Sequence, residues 1–231
     1  MNAPSTPIQP PAADVTVLYA DDALLVLDKP AGLLSVPGRG PENADCLSTR
    51  VQRLYPEARI VHRLDMGTSG LVVMARGAEM QAALNQRFAQ RTVHKTYEAL
   101  VAGIPATSPT KKWASIRLPL RVDWPNRPRS HVTFQGGKPS HTLWTTIEVL
   151  DRGAANAPTV CSRLRLRPIT GRSHQLRVHL MAIGHPILGD ELYAPHTIAQ
   201  ASPRLMLHAC QLAFAHPVNG KAMDFHLPAP F

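Results

Sequence analysis

The chain has 231 residues, 44% of them in the hydrophobic set and 18% charged, with 22 Pro and 14 Gly. That apolar share supports a buried core and excludes a disordered chain, while Pro and Gly stay below the level of collagen or low-complexity sequence. Twenty-five Lys and Arg against 16 Asp and Glu leave a formal charge of +9, the footprint of a protein that meets a polyanion such as nucleic acid.

Met1 to Ala13 is Pro- and Ala-rich and lacks the charged and apolar regions of a signal peptide, so it predicts a disordered tail ahead of one domain over 14–231. No stretch approaches the ~18 apolar residues of a membrane span, and no membrane partner is expected. Cys46, Cys161 and Cys210 are too few and too far apart for a disulfide framework, and none are spaced as C-x-x-C. A reducing cytoplasm and no structural zinc follow from that pattern.

Val15 to Tyr19 and Leu24 to Asp28 read as strands joined by a turn at Ala20–Ala23, and Lys29-Pro30-Ala31-Gly32 stops the second. Leu47, Val51 and Leu54 form the apolar stripe of a short helix ending before Pro56. Arg59 to Val61 leads into the polar loop His62–Gly70, and Leu71 to Ala75 follows as a buried strand. Met80, Leu84 and Phe88 mark a second helix by their spacing.

From Tyr97 the pattern is mostly strands: Tyr97–Val101, Ile116–Leu120, His131–Phe134, Thr142–Leu150 and Val160–Leu166. Loops at Asp123–Pro128 and Gly153–Pro158 separate them. Strands that follow one another without helices predict antiparallel pairing. Leu176, Leu180 and Ile183 give the stripe of a helix over Ser173–Ile183, ended by Gly184, and Leu205–Ala215 and Ala222–Leu227 close the sheet. The expected fold is a single α+β domain, a large, mostly antiparallel mixed sheet flanked by helices, with a basic cleft holding Asp65.

Asp65 is the first candidate for chemistry. It lies in a loop between strands, beside Arg63, with Gly67 and Gly70 allowing backbone to approach a ligand. A neighbouring arginine favours the ionised carboxylate that a nucleophile or base requires; a loop Asp that merely accepts backbone hydrogen bonds accounts for the local pattern equally well. Arg163, Arg165 and Arg167 alternate with Leu, which predicts a strand with one basic face. Arg172 and His174 fall at the start of the helix that follows, a position suited to phosphate. Arg177 lies at the margin of that helix's buried stripe and so calls for a carboxylate, for which Asp65 is the choice. His174 and His179 are five apart and do not share a helix face, so no metal is expected. A sugar-kinase-like ATPase would also place an acidic, Gly- and hydroxyl-containing loop after a strand, but it needs two large lobes and a second phosphate loop, which this chain lacks.

His62-Arg63-Leu64-Asp65 with Thr68-Ser69-Gly70-Leu71, and the run Ile169 to His179, resemble the two long motifs of the RluA family of RNA pseudouridine synthases. Asp28–Leu33 and Gly184–Asp190 extend the resemblance, which runs from about Val15 to Leu227. Leu34–Arg39 and Asp123–Pro128 are similar to the family's dual-specificity members, which implies stem-loops of 23S rRNA and of the tRNA anticodon arm as targets. Relatives often carry an N-terminal S4-type domain, which this chain is expected to lack.

The resemblance implies Asp65 as the essential carboxylate, Tyr97 as the active-site tyrosine and Arg177 as the buried arginine. Taken alone, Tyr97 is an ordinary strand aromatic. The implied reaction needs no metal and no cofactor, and the implied protein works as a monomer. Arg63 is expected to fill the space left by a flipped uridine. His62, Arg39, Lys138, Arg165, Arg172 and His174 complete the expected RNA contacts. The alternatives are the same chemistry at a different rRNA site only, or an RNA-binding protein without activity.

Overall fold

The structure, a computed structural model, describes residues 15–106, 112–151 and 160–231. The expected tail and the loop at Gly153–Pro158 lie outside the described residues. The chain divides into two compact units, Met1–Gln86 and Arg87–Phe231. The boundary falls inside a helix, Ala78–Ala89, which is why no Pro- or Gly-rich linker marks it in the sequence.

In the first unit β1 (Thr16–Ala20), β2 (Leu24–Lys29), β3 (Ala58–Ile60) and β4 (Ser69–Arg76) pair antiparallel, with β2 between β1 and β4 and β3 along β4. Asp21 closes the first hairpin by accepting from the Ala23 and Leu24 amides. Leu24–Leu27 and Ser69–Ala75 are buried, so both runs lack the polar alternation of a half-exposed strand. Each Leu or Val buried there stabilises by about 1.5–3 kcal/mol. α1 (Leu47–Gln52) buries Leu47 and Val51, but Leu54, expected on its stripe, is 73% exposed. Pro56 disfavours helical backbone at the residue before it, and the helix ends early. α2 (Ala78–Ala89) buries Leu84.

In the second unit β5 (His94–Ala102), β6 (Ala114–Ile116), β9 (Thr142–Asp151), β10 (Val160–Pro168), β11 (Leu207–Ala215) and β12 (Ala222–His226) pair antiparallel in the order β6-β9-β10-β5-β11-β12. β7 (Leu120–Val122) and β8 (Ser130–Val132) form a separate hairpin. The single strand expected over Ile116–Leu120 is thus two, because Pro119 has no amide with which to continue the ladder. α3 (Gln175–Ala182) and the short α4 (His196–Ala199) complete the unit. The expected α+β class and mostly antiparallel pairing hold.

Candidate active site

Asp65 sits on a tight turn, closed by the Thr68 amide donating to the Asp65 carbonyl at 3.1 Å. Both neighbours of Asp65 are held by the segment that follows β2. Ser35 Oγ donates to the Leu64 carbonyl at 2.7 Å and accepts from the Leu64 amide at 3.1 Å. The Met66 carbonyl accepts from the Gly32 amide at 2.8 Å and from Lys29 Nζ at 3.1 Å. Gly32 makes its bond from φ +83°, a conformation that glycine adopts without strain.

Lys29 is wholly buried, and its ammonium also donates to the carbonyls of Pro30 and Leu33. A buried ammonium is tolerated only where such acceptors replace water. Lys29 and Ser35 support the turn that carries Asp65, and the sequence reading missed both. The only signal was their place inside matched motifs. His62, expected as an RNA contact, turns its Nε2 toward β4 and accepts the Val73 amide at 3.1 Å. Arg63 and Arg39 are exposed.

Tyr97 is buried on β5, opposite Leu166 of β10 and Ala209 of β11. Directly paired residues share a face, and neighbours along a strand alternate. Arg165 pairs with Glu98 and therefore lies on the face away from Tyr97. Glu98 engages it at 3.6 Å and Arg163 at 3.6 Å. The expected basic strand face exists, but it is partly neutralised, and the structure does not bring Arg165 together with Tyr97.

Arg177 is buried on α3 and donates through Nε and Nη2 to the two oxygens of Asp190, at 2.9 and 2.7 Å. Asp190 is 1% exposed in its side chain and also accepts the amides of Leu192 and Tyr193. Asp190, which lies at the end of the Gly184–Asp190 match, is a carboxylate partner that sequence reasoning did not name. Gly189 has φ +75°, and any side chain there would collide with the Arg204 carbonyl, so the turn that delivers Asp190 demands glycine.

The Arg177 guanidinium lies 5.0 Å from the centre of the Tyr193 ring. Tyr193 Oη accepts the Ser130 amide at 2.8 Å and sits 2.6 Å from His174 Nδ1. His174 adopts φ +54°, a left-handed backbone rare outside glycine. It caps α3 by position, yet its ring goes to Tyr193 rather than to the helix amides.

A buried chain of bonds holds the rest of the motif. Gln175 Nε2 donates to Thr142 Oγ1 at 3.0 Å, Thr142 donates to His179 Nδ1 at 2.9 Å, and His179 Nε2 donates to the Leu118 carbonyl at 3.0 Å. Burial holds the His179 ring below the ordinary histidine range, so it stays neutral. Arg172 is exposed, with Nη2 3.5 Å from the Pro139 carbonyl beside the exposed Lys138, so these two expected cations are neighbours. Burial pushes the Cys210 thiol up to about 11, which removes it as a nucleophile at neutral pH.

The family model described as RNA pseudouridylate synthase matches residues 23–182. The chain is 48% identical over 217 residues to the dual-specificity RNA pseudouridine synthase RluA of Escherichia coli K12, covering 94% of each chain. It is 46% identical to the RluA of Vibrio vulnificus, covering 93% of this chain and 83% of that one. Among solved structures, human RNA pseudouridylate synthase domain containing 1 superposes with a TM-score of 0.74 at 26% identity, over all of this chain and 87% of that one. Human RNA pseudouridylate synthase domain containing 4 shares the fold, with a TM-score of 0.69 at 22% identity over 93% of this chain and 88% of that one.

Proposed function

The chain belongs to the RNA pseudouridylate synthase family and isomerises uridine to pseudouridine in RNA, and from that premise we propose that Asp65, Tyr97 and Arg177 carry the reaction. The C1′–N1 bond breaks, the uracil turns, C5 joins C1′, and the proton on C5 leaves as N1 gains one. The exchange changes no oxidation state, so it calls for neither metal nor cofactor.

Asp65 acts as the carboxylate, by adding to C1′ or by taking a sugar proton to give a glycal. Arg177, fixed by Asp190, serves as the buried cation of the reaction, and Tyr97 stacks on the uracil and assists removal of the C5 proton. The observation that carries this reading is the turn on which Asp65 sits, held on both sides by Ser35, Gly32 and Lys29; a reacting carboxylate needs such fixed placement.

The target uridine is flipped out of its stack at a cost of a few kcal/mol, and Arg63 occupies the space it leaves. Arg39, Lys138 and Arg172, all exposed, contact phosphates. His62 and His174 have ring nitrogens committed within the protein and serve to hold the loops that meet RNA. The substrates are stem-loops of 23S rRNA and of the tRNA anticodon arm, a choice supported by 48% identity over 94% of the chain to relatives named as dual-specificity RNA pseudouridine synthases. The enzyme acts as a monomer in the cytoplasm, where its three cysteines remain thiols.

The test is release of tritium from C5-labelled uridine in two transcripts, a tRNA and a 23S rRNA fragment. Release from both is expected. Release from the rRNA alone would favour the narrower reading of one rRNA site.

A further inference from the structure

We propose that Lys95, beside the backbone of Gly171, binds a phosphodiester of the RNA next to the target uridine. This rests on the reading that Tyr97 stacks on that uridine. Lys95 and Tyr97 are two apart on β5, so their side chains leave the same face, about 7 Å apart along the strand. On β11, Lys95 pairs with Leu212 and Tyr97 with Ala209, the odd spacing of these partners being taken up by a bulge between Ala209 and Gln211 on β11. That spacing is comparable to the distance between a nucleobase and its own backbone phosphate.

The environment of the ammonium points to an anion. Lys95 is half-buried, with Nζ 5.6 Å from the centre of the Phe88 ring, and the described residues give it neither a carboxylate nor a hydrogen-bond acceptor. Burial alone lowers its affinity for the proton, and no neighbouring charge contributes. Packing of the lysine stem along Phe88 accounts for the methylenes. It does not account for the exposed Gly171, where an added Cβ would lie 3.7 Å from Nζ.

Gly171 does not occupy the left-handed region, so its backbone conformation does not demand glycine. What the missing side chain provides is open approach to the ammonium. Arg172 follows directly in the chain and is exposed. A phosphate is the anion that an RNA substrate brings to such a place, and a partly desolvated lysine binds it as a point charge.

The experiment measures RNA affinity of the full-length protein as a function of KCl, together with kcat and KM from tritium release, for wild type, Lys95→Met, Lys95→Arg and Gly171→Ala. Lys95→Met is expected to lower the slope of log affinity against log salt by about one contact. Its KM should rise roughly tenfold while kcat stays within a few-fold. Lys95→Arg should keep the slope. Gly171→Ala, whose Cβ makes ordinary contact, should weaken binding about threefold without lowering Tm.

An unchanged slope in Lys95→Met overturns the assignment. Where that variant does not fold, wild-type affinity in Gly171→Ala overturns it instead. Tyr97→Phe separates this inference from the reading beneath it. A lost slope in Lys95→Met with full kcat in Tyr97→Phe keeps the phosphate subsite and removes Tyr97 from the chemistry. A kept slope with an impaired Tyr97→Phe does the reverse.

Discussion

Asp65 and Arg177 are both held rigidly, but by different chemistry: the Asp65 turn hangs from main-chain groups that meet one buried lysine, one serine and one glycine amide, whereas Arg177 stands in a network of side chains that includes a carboxylate, a tyrosine and a histidine. The main-chain groups of the turn do not titrate, and each of its supports bonds the turn directly rather than through another side chain. A side-chain network is strong while complete, and it fails when one member is lost. The second region should therefore be the more sensitive to single substitutions.

The largest effect is expected at Asp190. Asp190→Asn removes the carboxylate that grips the buried Arg177 guanidinium through two bonds and should cost roughly 3–5 kcal/mol of stability, read as a lower midpoint in urea, with activity lost at temperatures where the variant still folds. Lys29→Met keeps the volume but strands the carbonyls of Pro30, Leu33 and Met66. It should cost about 3 kcal/mol and lower kcat more than it raises KM, because the Asp65 turn loses a support. If both variants matched wild type in urea, the contrast between the two regions would have no energetic basis.

The pH dependence is smaller. Burial lowers the His208 pKa to about 4 and holds His179 below its ordinary value of 6.5. Both belong to the Arg87–Phe231 unit. Each group binds its proton more readily in the unfolded chain than in the folded one, so stability is complete above about pH 6.5 and falls as the pH drops toward 4. Between pH 7 and pH 5 the loss should be ~2 kcal/mol, measured as urea midpoints at those two pH values. Lys29→Met should leave this slope unaltered, since the groups that titrate lie elsewhere.

Much of this was legible from residue order. β2 and β4 announced themselves as continuous apolar runs, and α3 by Leu176, Leu180 and the terminating Gly184. Asp65 stood out because it lies beside Arg63 in a loop between strands, with Gly67 and Gly70 following it. What stayed hidden depends on distant partners. Lys29 before a proline reads as a turn residue, and only the Met66 carbonyl, 37 positions away, explains its burial. Arg177 needed a carboxylate, but the choice of Asp190 is made by the Gly189 turn. The Arg163–Arg167 alternation gave a basic face correctly, yet which face holds Tyr97 is decided by register with β5.

The most direct test of the account is tritium release by Asp65→Asn from C5-labelled RNA, with RNA affinity measured in parallel. The substitution preserves size and the main-chain bonds of the turn, so affinity should stay within a few-fold while release falls by more than about 10³-fold. Release at the wild-type rate from a folded, RNA-binding Asp65→Asn protein would contradict the assignment of Asp65 as the reacting carboxylate.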